Sequence, residues 1–137
     1  MESEIVRTTA ALVAALERGD VAAAAAAYAD DAKLLAPAAG IVESRAAIEA
    51  YWQAGIDLGL SGVTFDRSRL EPFGDRVLEV GRYAISGSGE LGKRRVVRGT
   101  YLVLHSPDPG GSWRRAVEVF TPDEPTLARH GSQKEES

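Results

Sequence analysis

The chain contains no cysteine, one methionine, two histidines and, among its 16 basic residues, only three lysines: Lys33, Lys93 and Lys134. Without cysteine there is no disulfide framework, thiolate metal site or cysteine nucleophile, and the redox compartment stays open. His105 and His130 are far apart and match no HxH or HxxxH spacing, so no metal site is expected. No apolar run approaches the ~18 residues of a membrane span. The opening "MESEIVRTTA" is acidic and lacks the apolar centre of a secretory signal, so a cytoplasmic protein without a membrane partner is expected. Basic clusters are missing as well. With a net charge of -4 and a pI near 5.2, most of the surface would repel nucleic acid, and no nucleic-acid partner is expected. The glycines of "GSGELG" lead from strand to strand, so no helix N-terminus stands there to hold phosphate.

What is present suffices for one domain. The 137 residues are 45% hydrophobic, and 22 are alanine, a bias that with the excess of arginine over lysine suggests a GC-rich bacterial genome. Ile5, Thr9, Leu12 and Leu16 recur at helical spacing from about Ser3 to Arg18, and Gly19 stops that helix. Asp20 is a good N-cap for a second helix through "VAAAAAAYAD", which would carry Tyr28. "DAKLLAPAAGIVE" reads as a short extended piece broken at Pro37 and Gly40. Ser44 then caps a third helix bearing Ile48, Tyr51, Trp52 and Ile56. From Val63 the pattern turns to four strands separated by "GD", "GSGELGK" and "SPDPGG". Helices followed by an antiparallel meander give an α+β fold with three N-terminal helices on one face of a curved sheet. The domain is expected over residues 1–121, with a polar tail over 122–137 that includes His130.

The segments "ALERGDVAAAAAAYADDAKLLAP", "SRAAIEAYWQ", "EVGRY" and "GGSWRRAVEVF" resemble the SnoaL-like and ketosteroid-isomerase-like branch of the nuclear transport factor 2-like superfamily, over about Ile5 to Thr121. The resemblance implies a cone with a pocket between the helices and the concave face of the sheet, and commonly a homodimer. It does not fix an activity, because the superfold hosts isomerases, dehydratases, cyclases, epoxide hydrolases and binding modules. Steroid isomerisation in that family needs a carboxylate base, a tyrosine and a protonated aspartate. The matching places here are Ala36, Leu12 and a position close to Thr100, so that chemistry is not expected.

The remaining carboxylate of interest is Glu118 in "WRRAVEVFTPDEP". Many SnoaL-like members carry an acidic residue at this point, with an aromatic two residues later; Glu118 and Phe120 stand there in this chain. Strand alternation puts Ala116, Glu118 and Phe120 on one face. If "SPDPGG" closes the last hairpin so that His105 faces Ser112 or Trp113, Glu118 lies near Thr100 and Phe120 near Arg98. A preceding hairpin centred near Gly89 then brings Glu79, Gly81 and Tyr83 onto the face of Val96, Arg98 and Thr100, and a one-residue slip would reverse this. Catalytic candidates are therefore Glu118, Arg98 and Tyr83. Substrate-contact candidates are Tyr28, Leu34 and Ala36, together with Trp52, Thr100 and Phe120. Tyr101 is expected to face away and His105 to sit exposed at a strand end. Burial would raise the pKa of an inward Glu118, whereas a neighbouring arginine would hold it ionised. The expected function is a pocket for a small hydrophobic molecule, with cofactor-free acid/base chemistry by Glu118 such as cyclisation, isomerisation, dehydration or epoxide opening. The alternative is a non-catalytic ligand-binding or dimerisation module.

Overall fold

A computed structural model describes residues 1–37, 39–89 and 92–124, so the expected tail beyond Glu124, including His130, lies outside the described residues. Helix α1 (Glu2–Glu17) buries Ile5, Leu12, Ala15 and Leu16 along one stripe and ends before Gly19, whose φ of 76° favours glycine. Asp20 caps the short α2 (Val21–Ala25) by accepting from the Ala23 N–H at 3.1 Å. Strand β1 (Tyr28–Ala36) turns into β2 (Gly40–Glu43). Ser44 caps α3 (Arg45–Asp57), which buries Ile48 and Trp52. Four long strands follow: β3 (Leu60–Phe73), β4 (Arg76–Ser88), β5 (Arg94–Pro107) and β6 (Trp113–Pro122).

The six strands form one sheet in the order β2-β1-β6-β5-β4-β3. The pairs β3–β4, β4–β5 and β5–β6 are antiparallel, and β1 lies parallel to β6, with Leu34 beside Glu118. The α+β class and the helix-covered curved sheet match the expectation. The boundary of the second helix does not, because α2 stops at Ala25 and Tyr28 begins a strand. Alanine favours a helix only weakly per residue, whereas alternation of Tyr28, Ala32, Leu34 and Ala36 with exposed Asp31, Lys33 and Leu35 buries one whole strand face. Arg45 secures the irregular start of β1: its Nε and Nη2 donate to the Tyr28 carbonyl at 3.1 and 2.8 Å, and its Nη1 pairs with Asp30 at 2.8 Å.

Two reciprocal pairs shape the concave face. Gly81 lies opposite Tyr101, and Gly99 lies opposite Tyr83. A Cβ at Gly81 would stand 2.9 Å from the Tyr101 ring, and one at Gly99 would stand 2.8 Å from the Tyr83 ring. Each glycine thus leaves room for a phenol to lie across the neighbouring strand, which lets the sheet bend over its aromatic core.

Candidate functional site

Strict alternation would put Arg115 and Glu118 on opposite faces of β6, yet both side chains are buried on the concave side. The cause is a bulge. His105 pairs with Arg115 and Leu104 with Val117, so Ala116 has no partner and the parity of the strand reverses there. Contrary to the expected grouping, Ala116 does not share the face of Glu118 and Phe120. The Asp108–Ser112 turn is also tighter than expected, placing Pro107 opposite Trp113. Together these features set Val103 opposite Glu118 and Tyr101 opposite Phe120, in place of Thr100 and Arg98.

The corrected register exchanges the faces of β5. Arg98 and Thr100 are exposed on the convex side, and neither reaches Glu118. Tyr101, Val103 and His105 are buried instead, against the expectation that Tyr101 faces away and His105 is exposed. On β4, Glu79 and Tyr83 do face inward. Leu34, Ala36, Trp52 and Phe120 are buried in the interior, as is Tyr28, though from β1 and not from a helix. Leu12 and Ala36 fill two of the isomerase positions with apolar groups, and Thr100 points outward at the third.

Glu118 is fully buried and is held by two hydrogen-bonding neighbours of different kinds. The Tyr28 hydroxyl donates to its Oε1 at 2.5 Å, while Arg115 donates to Oε2 from Nε at 3.2 Å and from Nη2 at 2.8 Å. The Trp52 indole N–H donates to the Tyr28 oxygen at 3.2 Å, and Arg115 Nη1 donates to Thr9 Oγ1 at 2.9 Å. The guanidinium also covers the Phe65 ring, 4.9 Å from its centroid. Burial opposes the Arg115 charge, but Glu118 outweighs it and keeps the group above its ordinary range. Burial, followed by the charge of Glu118, pushes the Tyr28 phenol well up, so Tyr28 acts as a donor here.

A second polar cluster shares the concave face. Glu79 Oε1 lies 2.7 Å from His105 Nε2, and its Oε2 accepts from the Tyr101 hydroxyl. Burial raises the Glu79 pKa, but the hydrogen bonds from His105 and Tyr101 outweigh it, and the net effect holds the carboxyl below its ordinary value. Burial pushes His105 down despite its acidic neighbour, so the ring is neutral and donates Nε2–H to the carboxylate. Burial and Glu79 push the Tyr101 phenol up.

Two cavities approach these groups. One, of about 210 Å³, lies where the β1–β2 turn meets the end of β6, and its walls include Pro37, Tyr51, Tyr83 and Phe120. Tyr83 packs edge-on against Phe120 with centroids 4.8 Å apart, and Trp52 packs edge-on against Phe120 from behind at 6.2 Å. Burial and then the charge of Glu118 raise the Tyr51 phenol; burial raises Tyr83 as well. Among the described residues neither phenol hydroxyl has a hydrogen-bond partner. The other cavity, of about 510 Å³, runs between α1 and β3 and reaches Glu79.

Arg115, Thr9, His105 and Tyr51 were not legible as site residues, whereas Glu79 was placed on the inward face but given no role. Arg115 is inward only because of the bulge, and no residue type at Ala116 signals one. The position of Tyr51 beside Trp52 was the available clue to its place in the wall.

The SnoaL-like domain model matches residues 9–130 of the chain. Among solved structures, the protein Aln2 from a Streptomyces species is similar with a TM-score of 0.78 and 18% identity, over 94% of this chain and 95% of that one. A ketosteroid isomerase-like protein from Erwinia carotovora atroseptica gives a TM-score of 0.77 and 17% identity, over 90% and 96% of the two chains. A candidate dehydratase of the NTF2-like family from Streptomyces avermitilis gives 0.73 and 15%, over 89% and 96%. No sequence match is found among curated proteins. The matched span, which covers most of the chain, places it in the SnoaL-like domain family, and its fold is the one it shares with these NTF2-like structures.

Proposed function

We propose that the chain is a small-molecule pocket protein that holds a hydrophobic, oxygen-bearing metabolite at the end of the cone lined by Tyr51, Tyr83 and Phe120. The observation that carries this reading is a pair of protonated phenols, with no partner among the described residues, in the wall of an otherwise apolar cavity. Such phenols donate to a carbonyl, hydroxyl or epoxide oxygen while the ring of Phe120 covers the carbon skeleton. In isomerisation, dehydration, cyclisation or epoxide opening the same donors would stabilise the oxygen that gains negative charge, using protein groups alone. Glu118 then serves as a positioning residue, fixing Tyr28 and Trp52 behind the cavity wall.

One observation favours a second reading, a ligand-binding module without turnover. Oε1 of Glu118 is taken by Tyr28 and Oε2 by two nitrogens of Arg115, which leaves it ill placed to collect a substrate proton. Dimerisation fits either reading. Leu78 and Val80 on β4 pair with Leu104 and Leu102 on β5, which pair in turn with Val117 and Val119 on β6, giving a contiguous, partly exposed apolar patch on the convex face. The experiment is an NMR binding screen of small cyclic ketones, alcohols and epoxides, with turnover of each hit followed by mass analysis. Tyr51→Phe should weaken a hit roughly five-fold, the worth of one neutral hydrogen bond, without loss of stability. Equal binding by the variant would remove the phenol from the account, and a changed product mass would decide for an enzyme.

A further inference from the structure

The geometry points to a second ligand site, separate from the cone end: the groove between α1 and β3 takes an elongated alkyl chain ending in a primary ammonium, with Glu79 as the acceptor at its floor. The groove follows α1 from Ile5 to Glu17, a length of about 18 Å at the helical rise. Val6, Ala10 and Val13 from the helix, facing Phe65 from the strand, make its walls apolar. Glu79 is the buried carboxylate among the groups that line it, only 2% exposed.

Glu79 is held by His105 and Tyr101 and reaches the groove lining with a small part of its surface. His105 and Tyr101 each occupy one carboxylate oxygen, and their hydrogen bonds keep the group ionised. A carboxylate has about four lone-pair directions, so acceptor capacity remains beyond these two bonds. Arg67 is the neighbouring cation, with Nε 3.9 Å from Glu79 and Nη1 3.9 Å from Glu2. Both separations exceed hydrogen-bond length, so Arg67 screens the site without filling it. Thr9 and Thr64 add hydroxyls to the lining, and Glu17 places a second negative charge at the far end. Glu79 and Glu17 stand against the guanidinium of Arg67, which is shared with Glu2; Arg115, whose charge also acts on Glu79, is committed to Glu118, and the balance favours a cationic ligand over an anionic one.

The test is calorimetric titration of the full chain with n-octylamine, n-octanol and octanoate at neutral pH. Octylamine should bind at least roughly ten-fold more tightly than octanoate, as expected for a charge-assisted hydrogen bond. Glu79→Gln should abolish that preference. Because Glu79→Gln could disturb His105 and Tyr101, Ala10→Phe offers a second variant. Ala10 is exposed on α1, and a phenyl group there would fill the groove without touching the carboxylate. It should block octylamine while leaving the circular dichroism and melting temperature unchanged. Arg67→Gln should tighten octylamine by removing a competing cation. Preferential binding of octanoate, octylamine binding indifferent to both Glu79→Gln and Ala10→Phe, or weaker amine binding in Arg67→Gln would each overturn the inference.

Discussion

Replacing Glu118 by glutamine removes the charge from the most buried ion pair among the described residues while changing its volume very little. Arg115 has no exposed surface, and two of its nitrogens are committed to Glu118 Oε2 at 3.2 and 2.8 Å. The third nitrogen keeps Thr9, but a neutral amide cannot balance the guanidinium charge. Leaving one partner of a buried pair uncompensated costs about 3–5 kcal/mol. That is a large part of the roughly 5–15 kcal/mol that holds a domain folded. At roughly 3 °C per kcal/mol for a chain of this size, the melting temperature should fall by about 10–15 °C. Arg115→Met should cost a similar amount, because it leaves the Glu118 carboxylate buried with only the Tyr28 hydroxyl. The double variant carries neither charge and should lie within about 2 kcal/mol of the parent protein. Chemical denaturation of the four proteins gives the cycle directly. The reasoning is refuted if Glu118→Gln costs less than about 1 kcal/mol, or if the two single costs simply add.

Acid should weaken the fold through Glu79 and His105. Both have folded-state pKa values below their ordinary 4.5 and 6.5, so the unfolded chain binds more protons and stability drops as pH falls below about 6.5 and further below 4.5. The raised phenols of Tyr28 and Tyr101 act oppositely. Their stabilisation is complete below the ordinary value of 10.0 and lost as pH rises beyond it, so urea midpoints measured against pH should trace a dome; a flat profile between pH 4 and 7 would contradict the burial of His105. On the convex face, Leu102→Glu puts a charge at the centre of the apolar patch. Light scattering should report a dimer for the parent chain and a monomer for the variant, with the fold unchanged, and a parent monomer would leave the patch without its proposed partner.

Much of the fold is legible from local signals. The stripe of Ile5, Leu12 and Leu16 and the caps Asp20 and Ser44 each act over a few residues, and each appears where those signals put it. The site is less legible because it depends on parity counted along strands. One unpaired residue, Ala116, and a turn tighter than expected move the β5–β6 pairing far enough to exchange Arg98 and Thr100 for Tyr101 and His105. An arginine does stand beside Glu118. It comes from the same strand, three positions earlier, and not from the neighbouring one. The run of alanines misleads in another way. Helix propensity is a local preference, and the burial of Tyr28 between Trp52 and Glu118 is a tertiary one that overrides it.

The most direct test of the central claim is to locate a bound hit from the ketone, alcohol and epoxide screen by intermolecular nuclear Overhauser effects. The account predicts contacts from the ligand to the ring protons of Tyr51, Tyr83 and Phe120, which line the cavity at the end of the cone. Contacts to Leu102 and Val119 on the convex face, with none to Tyr51 or Tyr83, would contradict it.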